Sequence, residues 1–285
     1  MKLCRFGEGR LGVVEGTTVR DVTPALDILP SHRYPLPTCD LLVAQLGPLC
    51  ERVRSLAGRA PALPLAGLRL LSPVANPGKI IGAPLNYQKH LEEVRGDPQL
   101  HHDNQIAAIH RGGLFLKATS ALVGAGEGVV LARPDRRNDH EVELAVVIGR
   151  RVRGVPRDEA LGCVAGYCIG LDMTVRGPEE RCLRKSPDTY AVLGPWLVTA
   201  DELPDPGNLE LSLAVNGDVR QRSSTRHMVL GVPELIEFAS AFCTLHPGDV
   251  IMTGTPEGVG PIEPGDTLLA SVEGIGTMEV AVRAA

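Results

Sequence analysis

From Gly113 to the C-terminus the chain is cut into short apolar runs, LFLK, GVVLARP, EVELAVVIGR, CVAGYCIGLDM, GPWLVTA, LELSLAVNG, DVIMTGTP and DTLLASVEGIGTMEVAV, most of them closed by glycine, proline or an Asn-Gly corner. Runs of this length, rich in branched residues and bounded by turn formers, predict strands. Asn216-Gly217 reads as a tight hairpin turn. In this stretch only VPELIEFASAFCTL (232–245) carries a helical pattern, with Pro233 in its first turn and a Pro-Gly-Asp turn after it. The expected fold is therefore mixed and β-rich, of the α+β class. The chain's 32 glycines and 23 prolines serve the corners of such a curved sheet.

Ahead of this region, KLCRFGEGRLGVVEGTTVRDVTP is punctuated by Gly9, Gly12 and Gly16 and predicts β-hairpins over residues 1 to about 24. A helical pattern follows from Thr38, interrupted at Pro48, and the proline-rich stretch 60–67 reads as a linker. These features predict a small N-terminal α/β domain over residues 1–72 and a main domain over 73–285. At the start of the latter, residues 79–83 read as a strand and 86–94 as a short helix. Residues 96–113 read as a long polar loop without period, the signature of a lid.

Charge and composition narrow the function. Twenty-nine basic against 34 acidic residues leave a net charge of −5, which argues against a nucleic-acid partner. The longest apolar runs fall short of the roughly 20 residues of a membrane span, and the first residues lack an apolar signal core. Seven cysteines, an odd number with no C-x-x-C pair, favour neither a disulfide frame nor a zinc cluster. The expectation is a cytoplasmic globular protein with reduced thiols.

The chemistry concentrates in Asp139-His140-Glu141-Val142-Glu143, which leads into the apolar run LAVVIG. Side chains alternate along a strand, so Glu141 and Glu143 share a face about 7 Å apart. Two like carboxylates there need a counter-charge, and a divalent cation supplies it, with Asp172 at the end of a neighbouring strand as a third oxygen ligand. An all-oxygen site suits Mg²⁺ or Mn²⁺ rather than zinc. The plain alternative is a solvent-facing E-x-E pair on a half-exposed strand. Elsewhere, His90 and Glu93 are spaced to share a helix face and form an acid/base pair, or a surface pair on a solvated helix. Lys185 and Thr255 lie in polar, glycine- and proline-containing segments. His101, His102 and His110 fit a histidine-rich polar lid better than a metal site.

Taken in order, LNY-x-x-H-x-x-E, LFLKATSAL, DHEVELAVVIGR, LDMTVR, RKSPDTYAVLGPW, VNGDVRQ, LHPGDVIMTGTPEGVG and EGIGTMEV resemble the fumarylacetoacetate hydrolase family from about Lys79 to the C-terminus. The resemblance implies a β-roll core, one divalent cation per subunit, a homodimer, and small-molecule substrates carrying a 2-oxo acid or its enol. Position by position, it implies metal ligands Glu141, Glu143 and Asp172. Lys185 would neutralise substrate oxygens, and His90 and Glu93 match the lid pair that activates water in hydrolytic members. Lys117, Arg176, Thr189, Gly254 and Thr255 match positions lining the substrate pocket. The segment between Asp172 and Lys185 departs from the pattern: it is shorter than in many members and lacks their glutamine.

The implied reaction is metal-dependent hydrolysis of a carbon–carbon bond in an acylpyruvate-like 1,3-dicarbonyl 2-oxo acid. The same enolate-holding site would also serve an oxaloacetate-type decarboxylase or an isomerase or hydratase of 2-oxo-enoic acids. A member whose metal only braces the fold is a further alternative. The His90/Glu93 pair favours hydrolysis, because decarboxylation needs no water-activating base.

Overall fold

The computed structural model describes residues 1–102 and 106–285. Among these residues the central element is a mixed sheet of twelve strands. Its core is formed by Val142–Ile148, Val164–Asp172 and Ala191–Thr199, which pair antiparallel and are buried almost throughout. Burial on both faces explains why these strands read as nearly continuous apolar runs. Val142, Leu144, Val146 and Ile148 point into the large core, while Ala145 and Val147 join a second cluster with Cys168, Ala191, Leu193, Val250 and Met252 on the other face. Val250–Met252 extends the sheet beside Val142–Ile148, followed by the parallel strand Ile80–Gly82 and then Phe115–Lys117. A five-stranded sheet contains Glu210–Val215, Thr267–Val272 and Gly276–Ala284, and a three-stranded one contains Asn138–His140. The expected β-rich α+β architecture is what the chain adopts.

The N-terminal strands Lys2–Phe6, Arg10–Glu15 and Thr18–Asp21 form the expected meander, and Lys2 and Leu3 pair with Val198 and Leu197 of the central sheet. Their outer face carries its own apolar cluster, with Leu3, Leu11 and Val13 against Leu49 and Val53. Three local expectations are corrected. The helical region breaks at Gln45, between Leu41–Ala44 and Leu46–Ala57, and Pro48 sits in the first turn of the second helix, where no donor is missed. The stretch expected as a linker contains the strand Ala62–Pro64, paired with Thr18–Arg20 at the sheet's edge, where proline is tolerated. The expected loop contains two helical turns, Pro98–His101 and Ile109–Gly112, because Leu100 and Ile109 are buried. One turn is too short to show a period in sequence. Residues 103–105 of that loop lie outside the described residues.

Candidate metal and substrate centre

Antiparallel register builds the centre. The Asp172 N–H donates to the Glu141 carbonyl at 2.9 Å, and Glu143 lies opposite Gly170, so the E-x-E carboxylates and Asp172 emerge on one face. Carboxylate oxygens of Glu141, Glu143 and Asp172 lie within 4.8 Å of one another, and all three residues are buried. Among the described residues this is the one group of three metal-binding side chains that converges; the loop histidines form no such group.

Three cations face these acids. Lys185 Nζ lies 2.7 Å from Glu141 Oε2, 2.6 Å from Asp172 Oδ2 and 2.8 Å from Thr174 Oγ1. Lys117 Nζ donates to the other Asp172 oxygen, and Arg176 bridges Asp139 (2.7 Å) and Glu141 (2.8 Å). Burial works to raise the Glu141 pKa, but the charges of Lys185 and Arg176 hold it below the usual carboxylate range. Glu143 differs: burial, and then the negative charge of Asp172, push it well above that range. Among the described residues it has no ion-pair partner, and its hydrogen bond comes from the Gly254 N–H at 2.7 Å. A buried carboxylate without an ion pair among the described residues, in a cluster whose donors are all hard oxygens, fits a divalent cation such as Mg²⁺ or Mn²⁺.

The helix Gln88–Gly96 brings His90 into the same cavity, 4% exposed, with Nδ1 2.8 Å from Glu93 Oε2. The other Glu93 oxygen accepts from the Gly258 N–H at 2.9 Å, so the orienting carboxylate is itself held. Asn86 anchors the approach to this helix. Its amide donates to the carbonyls of Thr253 (2.7 Å) and Leu230 (2.9 Å) and accepts from the Leu230 N–H (2.8 Å). Thr255 lines the cavity, and its hydroxyl is tied to the Val142 carbonyl and to Gln221.

The structure thus brings His90, Lys185, Arg176, Thr255 and the three acids to one cavity wall, with Lys117 and Gly254 directly behind through Asp172 and Glu143. Thr189 is not with them. It sits at φ +71°, and its hydroxyl accepts from the Val130 N–H at 2.9 Å and donates to the Val130 carbonyl, a structural role. Sequence reasoning missed Asp139, Phe115, Arg181, Arg184 and Gln221. For Asp139 a signal existed, as it is the third acid of the D-H-E-V-E run.

A family model described as fumarylacetoacetate (FAA) hydrolase C-terminal matches residues 79–283. A maleylpyruvate hydrolase of Aquipseudomonas alcaligenes is 61% identical over 99% of both chains. A crystal structure of maleylpyruvate hydrolase from Sphingobium sp. SYK-6, in complex with manganese(II) and pyruvate, superposes with a TM-score of 0.84 at 41% identity, covering 100% of this chain and 99% of that one. A mitochondrial oxaloacetate tautomerase of Bos taurus is 36% identical over 79% of this chain and 73% of its own.

Proposed function

The chain belongs to the fumarylacetoacetate hydrolase family, and we propose that it is a divalent-metal-dependent hydrolase cleaving the carbon–carbon bond of an acylpyruvate. The observation that carries this reading is His90, held 2.8 Å from Glu93 and lining the same cavity as Glu141, Glu143 and Asp172. Its support among relatives is the maleylpyruvate hydrolase that matches along nearly the whole chain.

In this reading Glu141, Glu143 and Asp172 hold the cation, Mg²⁺ or Mn²⁺, which when bound supplies Lewis-acid charge for the oxygens of the 2-oxo acid. His90 takes a proton from water, kept in the right orientation by the Glu93 carboxylate. The hydroxide adds to the acyl carbonyl carbon. The bond from that carbon to the methylene then breaks, releasing a carboxylic acid and the enolate of pyruvate, whose methylene carbon takes up a proton. Lys185, already between two carboxylates, shares the developing enolate charge. Arg176 braces Glu141, and Lys117 braces Asp172.

Acylpyruvates, oxaloacetate and hydroxymuconate-type acids, offered with Mg²⁺ or Mn²⁺ and followed by product analysis, test this. Formation of a carboxylic acid plus pyruvate is the expected outcome. Enol–keto exchange alone would replace hydrolysis by tautomerisation, a second reading that the bovine relative supports.

The same proposal takes the protein to be a cytoplasmic homodimer. All seven cysteines are free, as expected of a reducing compartment, and no described helix is long and apolar enough to cross a membrane. Leu116 and Phe242, 52% and 76% exposed, line a shallow apolar groove that a second copy would cover. Light scattering on the eluting protein tests the dimer.

A further inference from the structure

Residues 254–258 form a strap between the two halves of the centre. At one end the Gly254 N–H holds Glu143 of the acid triad at 2.7 Å, and at the other the Gly258 N–H holds Glu93, the partner of His90, at 2.9 Å. Thr255 and Pro256 lie between these contacts, and one side chain holds both. It is Gln221, fully buried, from the strand Asp218–Ser224 of the five-stranded sheet. Gln221 Nε2 donates to Thr255 Oγ1 at 2.8 Å and to the Pro256 carbonyl at 2.9 Å. A carbonyl can only accept, so the amide has one orientation, with Oε1 facing the Val142 N–H at 3.1 Å and His140 Nδ1 at 3.0 Å. His140 therefore carries its proton on Nδ1. Thr255 Oγ1 donates in turn to the Val142 carbonyl at 2.9 Å, so Gln221 and Thr255 together take the N–H and the carbonyl of the residue between Glu141 and Glu143. Gly258, at φ +92°, packs on the strand that carries Gln221, where a Cβ would lie 2.2 Å from the Arg220 carbonyl oxygen.

We propose that Gln221 is a positioning residue for the hydrolysis: through the strap it fixes where Glu93, and with it His90, stands relative to the acid triad. This rests on the acylpyruvate reading for what His90 does. Gln221 stands behind Thr255 and acts through other residues. An amide suits the task because it presents an acceptor to the strand that carries the acids and a donor to the strap at once. The two ends of the strap depend on it unequally. A bound cation would hold Glu143 by itself, whereas Glu93 relies on the Gly258 N–H to keep its other oxygen on His90. Loss of Gln221 should therefore be felt in the step that His90 performs more than in the binding of metal or 2-oxo acid.

The test compares variants of the Mn²⁺-saturated protein, with acetylpyruvate as substrate and oxalate as a non-reactive ligand. Gln221→Met keeps the length of the side chain and removes its hydrogen bonds. It should lower kcat by about ten- to a hundredfold, the range of a displaced catalytic group, with KM and the Kd for oxalate within about threefold of the wild type. Gln221→Glu keeps the acceptor for Val142 and His140 and sets an oxygen against the Pro256 carbonyl, so it should be the more stable variant and still lose kcat to a similar extent. In the His90→Ala background, Gln221→Met should change the residual rate by less than about threefold, because both residues act through one base. Hydrogen exchange in Gln221→Met should quicken over 88–96 as well as 254–258, since the strap joins that helix to Gln221. A lower melting temperature with kcat per folded molecule unchanged, an undiminished loss in the His90→Ala background, or faster exchange confined to 218–224 would overturn the proposal. If the wild type hydrolyses no acylpyruvate, the hydrolase reading falls, and exchange over 88–96 decides the role of Gln221 by itself.

Discussion

The backbone N–H of Gly254 donates to Oε2 of Glu143 across 2.7 Å, from a residue held at φ +96°. A Cβ at this position would lie 2.7 Å from the Asn86 Cβ and 2.8 Å from the Ala83 carbonyl oxygen. Glycine is therefore required both for the left-handed backbone and for the close approach to the Asn86 turn. Gly254→Ala is expected to cost about 1–3 kcal/mol of stability and to weaken Mn²⁺ binding, because the donor moves away from Glu143. Thermal unfolding and calorimetry on the same variant check both parts. Lost stability with unaltered Mn²⁺ affinity would mean that the N–H does not position the carboxylate.

Glu143→Gln should act in opposite directions on two readouts. It removes a buried carboxylate that has no ion-pair partner among the described residues and that burial and the charge of Asp172 disfavour, so the metal-free variant is expected to melt higher than the metal-free wild type. It also removes a proposed ligand, so the calorimetric signal for Mg²⁺ or Mn²⁺ should disappear. Unchanged Mg²⁺ affinity would show that the site lies elsewhere.

His90 separates reactions that share the rest of the centre. His90→Ala is expected to slow acylpyruvate hydrolysis by a factor on the order of 10²–10⁴, the usual contribution of a general base. Any decarboxylation of oxaloacetate should suffer much less, since Lys185 remains beside the enolate. Equal loss of both activities would make His90 part of cavity closure instead of water activation.

Arg137 joins the loop to the centre. It lies 3.6 Å from Asp97 and 3.2 Å from Gln99 on one side and 2.8 Å from Asp139 on the other, and Asp139 in turn holds Arg176. Hydrogen exchange over residues 94–102 and 106–113 should slow when oxalate and metal are added. In Arg137→Ala that protection should be largely lost and KM should rise. Equal exchange with and without ligand in the wild type would remove the lid role expected for this segment.

Burial pushes the Cys4 and Cys168 thiols up to about 12, which leaves almost no thiolate at pH 8. Cys39 and Cys182 are only partly buried. Iodoacetamide at pH 8 should therefore label those two in the native protein and reach Cys4 and Cys168 only after unfolding, as read by peptide mass spectrometry.

The sequence made the acid triad legible because strand alternation is strict: once residues 142–148 form a strand, Glu143 and Glu141 must share a side, and a single register choice brings in Asp172. His90 and Glu93 were legible for the corresponding helical reason. Arg181 and Arg184 were not, because TVRGPEERCLR has no period, so nothing in the sequence tells these two arginines from surface charge. Thr189 was misplaced because a motif fixes a residue's position in the chain but not the direction of its side chain, which a positive φ here turns toward Val130. The helical turns at Leu100 and Ile109 depend on contacts with residues far away in sequence, which local pattern cannot supply.

The pairing of Lys2 and Leu3 with Val198 and Leu197 bears on how far the protein can be shortened. The outer edge of Ala191–Thr199 is covered by Leu122–Gly124 along Ala191–Leu193 and by the first strand farther on. Removing residues 1–72 would strip the second cover and leave hydrogen-bonding groups and apolar side chains of Trp196 to Thr199 open to any other strand. A shortened protein retaining every residue of the cavity would thus be expected to precipitate, with the fault lying at a seam far from any catalytic group.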